Sequence, residues 1–191
     1  VMRLLPDGLL TLSVSLGYAS KVDPDSSLQQ ALVVAEDRML RRKLLESKSM
    51  RSAILDSLQE TLYRKSSETE EHGRRIAELC HRMSHILGLP RSQHDELRLL
   101  GILHDIGKIR IETSVLNKPT KLTDEEWNIL QHHTIWGAQL VETLPAFQEI
   151  VPLIRSHHEN YDGSGYPDGL KGEEIPLLAR ILRIADSFDA M

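Results

Sequence analysis

The chain has 191 residues, of which 40% are hydrophobic and 27% charged, the balance of a globular protein able to bury one substantial core rather than of a disordered or fibrous one. A net charge of -5 and a pI near 6.0 argue against a general DNA or RNA binder but are compatible with a small anionic ligand, because a metal ion can supply positive charge locally. No apolar run approaches the roughly 18 to 20 residues that span a bilayer; Leu9 to Ala19 lacks the basic leader of a signal peptide, and the single Cys80 excludes an intrachain disulfide, so the expected location is cytoplasmic.

Taken in chain order, residues 9 to 18 (LLTLSVSLGY) alternate apolar and small polar side chains, which predicts a short strand. Asp23-Pro24-Asp25-Ser26-Ser27 reads as a turn leading into helix N-cap chemistry. From Leu28 to about Arg64 there is no glycine or proline, and apolar residues recur at helical spacing, predicting one long helix or two with a break near Ser47 to Ser49. Its basic cluster (Arg38, Arg41, Arg42, Lys43) has no interleaved aromatic residues and reads as a solvated face. Further helices are predicted at about 67–88, 92–107, 123–142, 146–159 and 177–190, with Pro90, Pro119, Pro145 and Pro176 between them or at their starts. Thr123-Asp124-Glu125-Glu126 reads as a capping box. Cys80, among Ile76, Ala77 and Leu79, reads as a packed small hydrophobe. Only Asn160 to Gly172 is rich in glycine and is expected to be an ordered loop.

The nine histidines carry the chemistry. Glu68 and His72 stand four apart on a predicted helix, so they share one face and can converge on one ion. His104-Asp105 follows the apolar stretch Leu99 to Leu103, and a buried Asp is costly unless it is paired or binds metal. His132-His133 lies in the helix opened by the capping box, His157-His158-Glu159 ends another, and Asp186 lies in a helix where Ile181, Ile184 and Ala185 are expected to share a buried face. Any one of these has an ordinary structural explanation. Adjacent His-Asp and His-His pairs at helix ends, flanked by buried residues, point instead to metal. Imidazole and carboxylate donors suit iron, manganese, zinc or nickel, and the lack of thiolates disfavours a structural zinc site.

The stretch LLGILHDIGK (99–108) resembles the HD superfamily of metal-dependent phosphohydrolases, and HHENYDGSGYPDGLKGEEIP (157–176) resembles the extended pattern of its HD-GYP branch, with Gly165-Tyr166-Pro167 as the namesake. RILRIADSFDAM (180–191) and NKPTKLTDEEWNILQHHTIWGAQLV (117–141) fit the same family, so that the resemblance runs over about residues 64 to 191. It implies an all-α HD-domain helical bundle, here over residues 66–191, with residues 1–65 as a short β/α appendage. Residues 8 to 45 also resemble the last strand and helix of a GGDEF domain, which implies an upstream GGDEF or sensory domain in the same protein. The family's final block continues past Asp189-Ala190-Met191 into a basic substrate contact and a further helix, so a longer protein is expected at that end too.

Carried over by position, the resemblance implies Glu68, His72, His104, Asp105, His133, His157, His158 and Asp186 as ligands of two or three divalent metal ions, iron or manganese first and zinc or nickel next. His133 is preferred to His132 because the family's ligand precedes a glycine by four positions, here Gly137, and the presence of Glu68 permits a third metal. His81, His85 and His94 match no motif and read as surface or packing residues. The implied reaction is hydrolysis of cyclic di-GMP to pGpG and onward to GMP in bacterial second-messenger signalling, with no membrane span in this segment. Metals suit it because they lower the pKa of water and clamp phosphate oxygens for in-line displacement. Asp105 is the natural bridging ligand, since a carboxylate has two oxygens to share. Lys108, one turn beyond His104, is expected to stabilise phosphate charge. Tyr166 is a candidate substrate contact or a structural residue, Asp162 is expected to hold its loop, and Asp189 is a candidate for substrate contact or support of a ligand. GGDEF-domain proteins are implied partners, and the long helix offers a surface for a homodimer. The alternatives are a catalytically silent sensor or scaffold, and a phosphohydrolase acting on another nucleotide.

Overall fold

The structure, a computed structural model, describes residues 16–20, 27–65 and 70–191, and the side chains of these except at 44–48. Most of the expected strand lies outside the described residues, as does Glu68; residues 16–20 have no regular structure. The described residues form helices joined by ordered turns: α1 (Leu28–Lys65), α2 (Glu70–Ile86), α3 (Arg91–Leu103), α4 (Thr113–Leu116), α5 (Asp124–Gln131), α6 (His133–Glu142), α7 (Val151–Ser156) and α8 (Leu177–Asp189), with 3₁₀ turns at Ile106–Arg110, Pro145–Ile150 and Gly172–Glu174. The all-α bundle expected over residues 66–191 is what the described residues of that segment form. The chain divides into two compact units, Val1–Leu55 and Asp56–Met191. Among the described residues no helix is long and apolar enough to cross a membrane.

In the first unit α1 is continuous through the suspected break. Its start is fixed by reciprocal bonds: Gln30 N donates to Ser27 Oγ (3.1 Å) and Ser27 N donates to Gln30 Oε1 (2.8 Å).

The second unit owes its core to apolar faces that meet at close helix crossings. Gly88, with φ of 64°, ends α2 by a left-handed turn that a side chain would resist, and Pro90 then precedes α3, which folds back on α2. A methyl at Gly101 of α3 would press on the backbone of Ala77 in α2, so the two helices approach closely there. Ile76, Cys80, Leu97, Leu100, Leu103, Phe147, Ile150, Ile154 and Leu182 fill the interior from α2, α3, α7, α8 and the 145–150 turn. Cys80 is fully buried, as its helical context suggested, and burial pushes its thiol pKa up to about 12. On α8 the buried stripe is Leu178, Ala179, Ile181, Leu182 and Ala185. Ile184, expected on that face, is instead 60% exposed, because at 100° per residue it falls well off the stripe's centre.

Three predicted helices are interrupted where the sequence showed no break. The helix expected over 92–107 ends at Leu103, and Asp105 (φ -94°, ψ 8°) opens a 3₁₀ turn. The helix expected over 123–142 begins at its capping box, with Thr123 and Glu126 bonded reciprocally, but loosens at His132. There the side chains of His132, His133 and Thr134 bond to the carbonyls of Asn128, Leu130 and Gln131, competing with the backbone amides that would continue the helix. The segment 146–159 is a 3₁₀ turn followed by the short α7, and α4 was not anticipated.

Gly107 packs against the backbone of α6: a methyl on it would run into the His133 carbonyl and the Gly137 amide. The 106–110 turn therefore lies directly on α6. Replacing Gly107 by Ala should cost about 1–3 kcal/mol of stability by overpacking, read as a shift of the denaturation midpoint. An unchanged midpoint would show that the crossing is not constrained by the lack of a side chain.

Candidate metal centre

The Gly107–Gly137 crossing sets the HD pair of residues 104 and 105 against the first residue of α6, His133. The turn at Asp105 aims its carboxylate inward rather than along α3. Two groups of donors result: Asp105, His133, His157 and His158 form one, and His72, His104 and Asp186 form the other, with the atoms inside each group within 4.8 Å of one another. Asp105 joins them. Its Oδ1 lies 3.1 Å from His133 Nε2 and its Oδ2 lies 3.0 Å from His104 Nε2. The structure thus brings seven of the eight expected ligands into adjacent groups. His132 is exposed, donates its Nδ1 hydrogen to Asn128 O (2.7 Å) and stacks near Trp136, away from both groups.

Three imidazoles are oriented by the same device. Nδ1 of His104 donates to Gly101 O (3.1 Å), Nδ1 of His133 to Leu130 O (2.6 Å) and Nδ1 of His157 to Ile154 O (2.6 Å), each three residues back. A carbonyl only accepts, so Nδ1 carries the hydrogen, and Nε2 of the neutral ring presents a lone pair. His72 is held alike by a carboxylate: Nδ1 donates to Asp189 Oδ2 (2.8 Å), and Arg75 clamps Asp189 with two bonds of 2.6 and 2.7 Å. The Asp189 carboxylate is thus occupied behind His72, and Arg75 holds its pKa down at about 2, with His72 adding to the effect.

The donor set fits a cation. His133 and His157 present Nε2 to Nε2 at 3.3 Å, and both face Asp105. Rings and carboxylate are almost fully buried, with His104 at 2%, Asp105 at 5%, and His133 and His157 at 1% exposure. Burial opposes charge on Asp105, yet positive charge on His104 and Lys108 outweighs it and holds the carboxyl well below the usual range; a divalent ion would supply that charge with the rings neutral. Burial also pushes the His157 pKa down to about 4, aided by His133 and His104, and lowers that of His158 further. Both rings are therefore neutral near pH 7, the form a metal needs. Lone pairs converging on a buried carboxylate, their back sides fixed by hydrogen bonds, are the arrangement of metal-binding histidines.

Around this centre, Lys108 Nζ donates to Asp105 Oδ2 (2.9 Å) and is partly exposed. Tyr166 lays its ring 4.9 Å from that of His158; burial, then the Asp105 charge, pushes its hydroxyl pKa up to about 12. Asp162 shapes only the tip of the loop, accepting from Ser164 N (2.9 Å) and Ser164 Oγ (2.6 Å). The main tie, which sequence reasoning missed, is Glu159. Buried at 2% exposure, it accepts from the amides of Asp168 (2.7 Å), Gly169 (3.1 Å) and Leu170 (3.1 Å). The Arg155–Asp168 pair closes the same loop, and Gly165 sits so near the backbone of Glu159 and Asn160 that no side chain fits. Arg75 and Arg183 were also missed. Arg183 reaches His158 Nδ1 and Asn160 Oδ1, both at 3.3 Å. The available signal was spacing: Arg75 lies three residues after His72 and Arg183 three before Asp186, one helical turn in each case.

Replacing Glu159 by Gln should cost about 2 kcal/mol, because three amides lose a charged acceptor, and should speed hydrogen exchange at Asp168, Gly169 and Leu170. Unchanged exchange at these amides would contradict the role given to Glu159.

Comparison with known proteins agrees with this geometry. The HD domain family model matches residues 52–191. The cyclic di-GMP phosphodiesterase response regulator RpfG of Xanthomonas campestris is 40% identical over 177 residues, covering 87% of this chain and 47% of that protein. A 3'3'-cGAMP-specific phosphodiesterase 2 of Vibrio cholerae is 41% identical over 129 residues, covering 66% of this chain and 25% of that protein. The chain thus spans between a quarter and a half of these relatives. A crystal structure of a cyclic GMP-AMP specific phosphodiesterase of V. cholerae shares the fold, with a TM-score of 0.54 at 23% identity over 72% of this chain and 39% of that one. The chain belongs to the HD-domain family and carries the HD-GYP pattern at residues 157–176.

Proposed function

We propose that the protein is a metal-dependent phosphodiesterase that hydrolyses cyclic di-GMP to pGpG and onward to GMP. The observation that carries this reading is Asp105, buried with one carboxylate oxygen toward each of two imidazole groups. In this reading His133, His157 and His158 would hold one divalent ion and His72, His104 and Asp186 a second, with Asp105 as a ligand available to both. Glu68, outside the described residues, is the candidate for a third. Iron or manganese suits these nitrogen and oxygen donors best, and zinc or nickel would also bind. When bound, such ions supply an activated water and positive charge for the phosphate.

The chain's own residues then have distinct tasks. Asp105 and the imidazoles fix the ions, and the bonds at Nδ1 keep each ring turned inward. Asp189, with Arg75 behind it, positions His72. Lys108 exchanges its bond to Asp105 for a phosphate oxygen and offsets charge that grows on the phosphate during displacement. Tyr166, beside His158, borders the phosphate's approach and contacts the ligand, while Glu159 holds its loop in place. The first unit and α1 link the HD domain to an upstream sensory or GGDEF domain in a cytoplasmic protein, with GGDEF-domain proteins and a second copy of the chain as partners.

Relatives whose names specify cyclic di-GMP and relatives whose names specify 3'3'-cGAMP match at nearly equal identity, so 3'3'-cGAMP is the second substrate to consider. The test is anaerobic turnover of both dinucleotides with added Mn²⁺ or Fe²⁺, products separated by chromatography. Cyclic di-GMP should yield pGpG or GMP, Asp105→Ala should abolish the yield, and Lys108→Met should lower kcat by about 10²-fold or more. Faster cleavage of 3'3'-cGAMP would reassign the substrate. Absence of product from either, with metal bound, would contradict the proposal and favour a silent sensor.

A further inference from the structure

Three histidines that belong to neither group around Asp105 meet toward the other end of the α2–α3 pair. His81 and His85 stand one turn apart on α2, and His94 joins them from the first turn of α3. The ring centroids of His81 and His85 are 4.5 Å apart, those of His85 and His94 4.3 Å, and those of His81 and His94 6.0 Å. One nitrogen from each ring can be taken so that all three lie within 4.8 Å of one another. Nε2 of His81 and Nε2 of His85 face each other at 3.2 Å, and Nε2 of His94 is buried with no hydrogen-bond partner.

This is an awkward arrangement for three imidazoles alone. Two neutral rings can share one N–H···N bond, but the buried nitrogen of the third is left unsatisfied. Protonating all three would set like charges against one another. A single cation satisfies every lone pair at once. With metal–nitrogen bonds of about 2.0–2.1 Å, two imidazole nitrogens on one tetrahedral ion stand about 3.3 Å apart, against the 3.2 Å between His81 and His85. With only nitrogen donors the cluster suits borderline transition ions rather than magnesium or calcium, which take oxygen.

We propose that His81, His85 and His94 form a separate, mononuclear site for a divalent transition ion of the zinc type, open to solvent at its fourth position. His81 lies nine residues along α2 from His72, about 14 Å, and His94 ten residues before His104 at the end of α3, about 15 Å. An ion there staples α2 to α3, the two helices that position His72 and His104, and stabilises the bundle by mass action. The site stands on its own residues and does not depend on the proposed reaction.

The test is zinc retained per chain after equilibration and dialysis, measured by plasma mass spectrometry for the wild type, His85→Ala and His81→Asn. His85 is exposed, so its truncation leaves no cavity, and circular dichroism reports that each variant is folded. The wild type should retain one zinc more than either variant, whose affinity for that ion falls by more than about tenfold. The same difference should persist in an Asp105→Ala background, with Zn²⁺ raising the melting temperature only where the three histidines are intact. Equal zinc content in wild type and folded His85→Ala, or loss of the difference when Asp105 is removed, would overturn the proposal.

Discussion

A carboxylate taken out of water among imidazole lone pairs is the constraint on which the rest of the HD unit turns. Asp105 cannot be charged at this depth without positive charge beside it, which Lys108 supplies at 2.9 Å and a divalent ion among the imidazoles would supply more fully. Isolated burial of a carboxylate would be strongly unfavourable. The surrounding residues make it tolerable in the protein alone and far more favourable with a divalent ion in the same space. That difference couples metal binding to the stability of the bundle.

The backbone is shaped to serve this centre. Gly107 against Gly137 lets the turn after α3 lie on α6, which puts the HD pair beside His133. The end of α3 at Leu103 frees Asp105 from helical geometry, and the loosening at His132 turns His133 inward while its neighbour faces solvent. Glu159 adds a further layer, since its three amide bonds fix the loop that carries Tyr166 beside His158. The interruptions at Asp105 and His132 fall where a side chain points somewhere a continuous helix would not send it.

Those interruptions also mark where sequence reasoning stopped. The class of fold was legible because apolar periodicity, prolines between segments and the Thr123 capping box are local signals. The convergence of His72, His104, Asp105, His133, His157, His158 and Asp186 was legible as a set through motif resemblance, although no single residue's neighbours could be read from spacing. The breaks at Asp105 and His132 were not, because they arise from side-chain bonds to backbone carbonyls and from a close crossing with a distant helix. Ile184 lies off the buried stripe although its apolar neighbours Ile181 and Ala185 lie on it, because burial follows the phase of α8 as a whole. The three histidines at 81, 85 and 94 looked ordinary in sequence because the third comes from a different helix.

Nε2 atoms, not Nδ1 atoms, of the buried histidines are the ones expected to converge with Asp105 on metal. A crystal structure of the manganese- or iron-loaded protein, with anomalous maps recorded at the metal edge, tests it directly. Peaks are expected on both sides of the Asp105 carboxylate, one contacted by Nε2 of His133 and His157 and one by Nε2 of His104 and His72. Folded, metal-treated protein with no peak beside Asp105, or with peaks bound through Nδ1 after the carbonyl bonds at Gly101, Leu130 and Ile154 have broken, would contradict it.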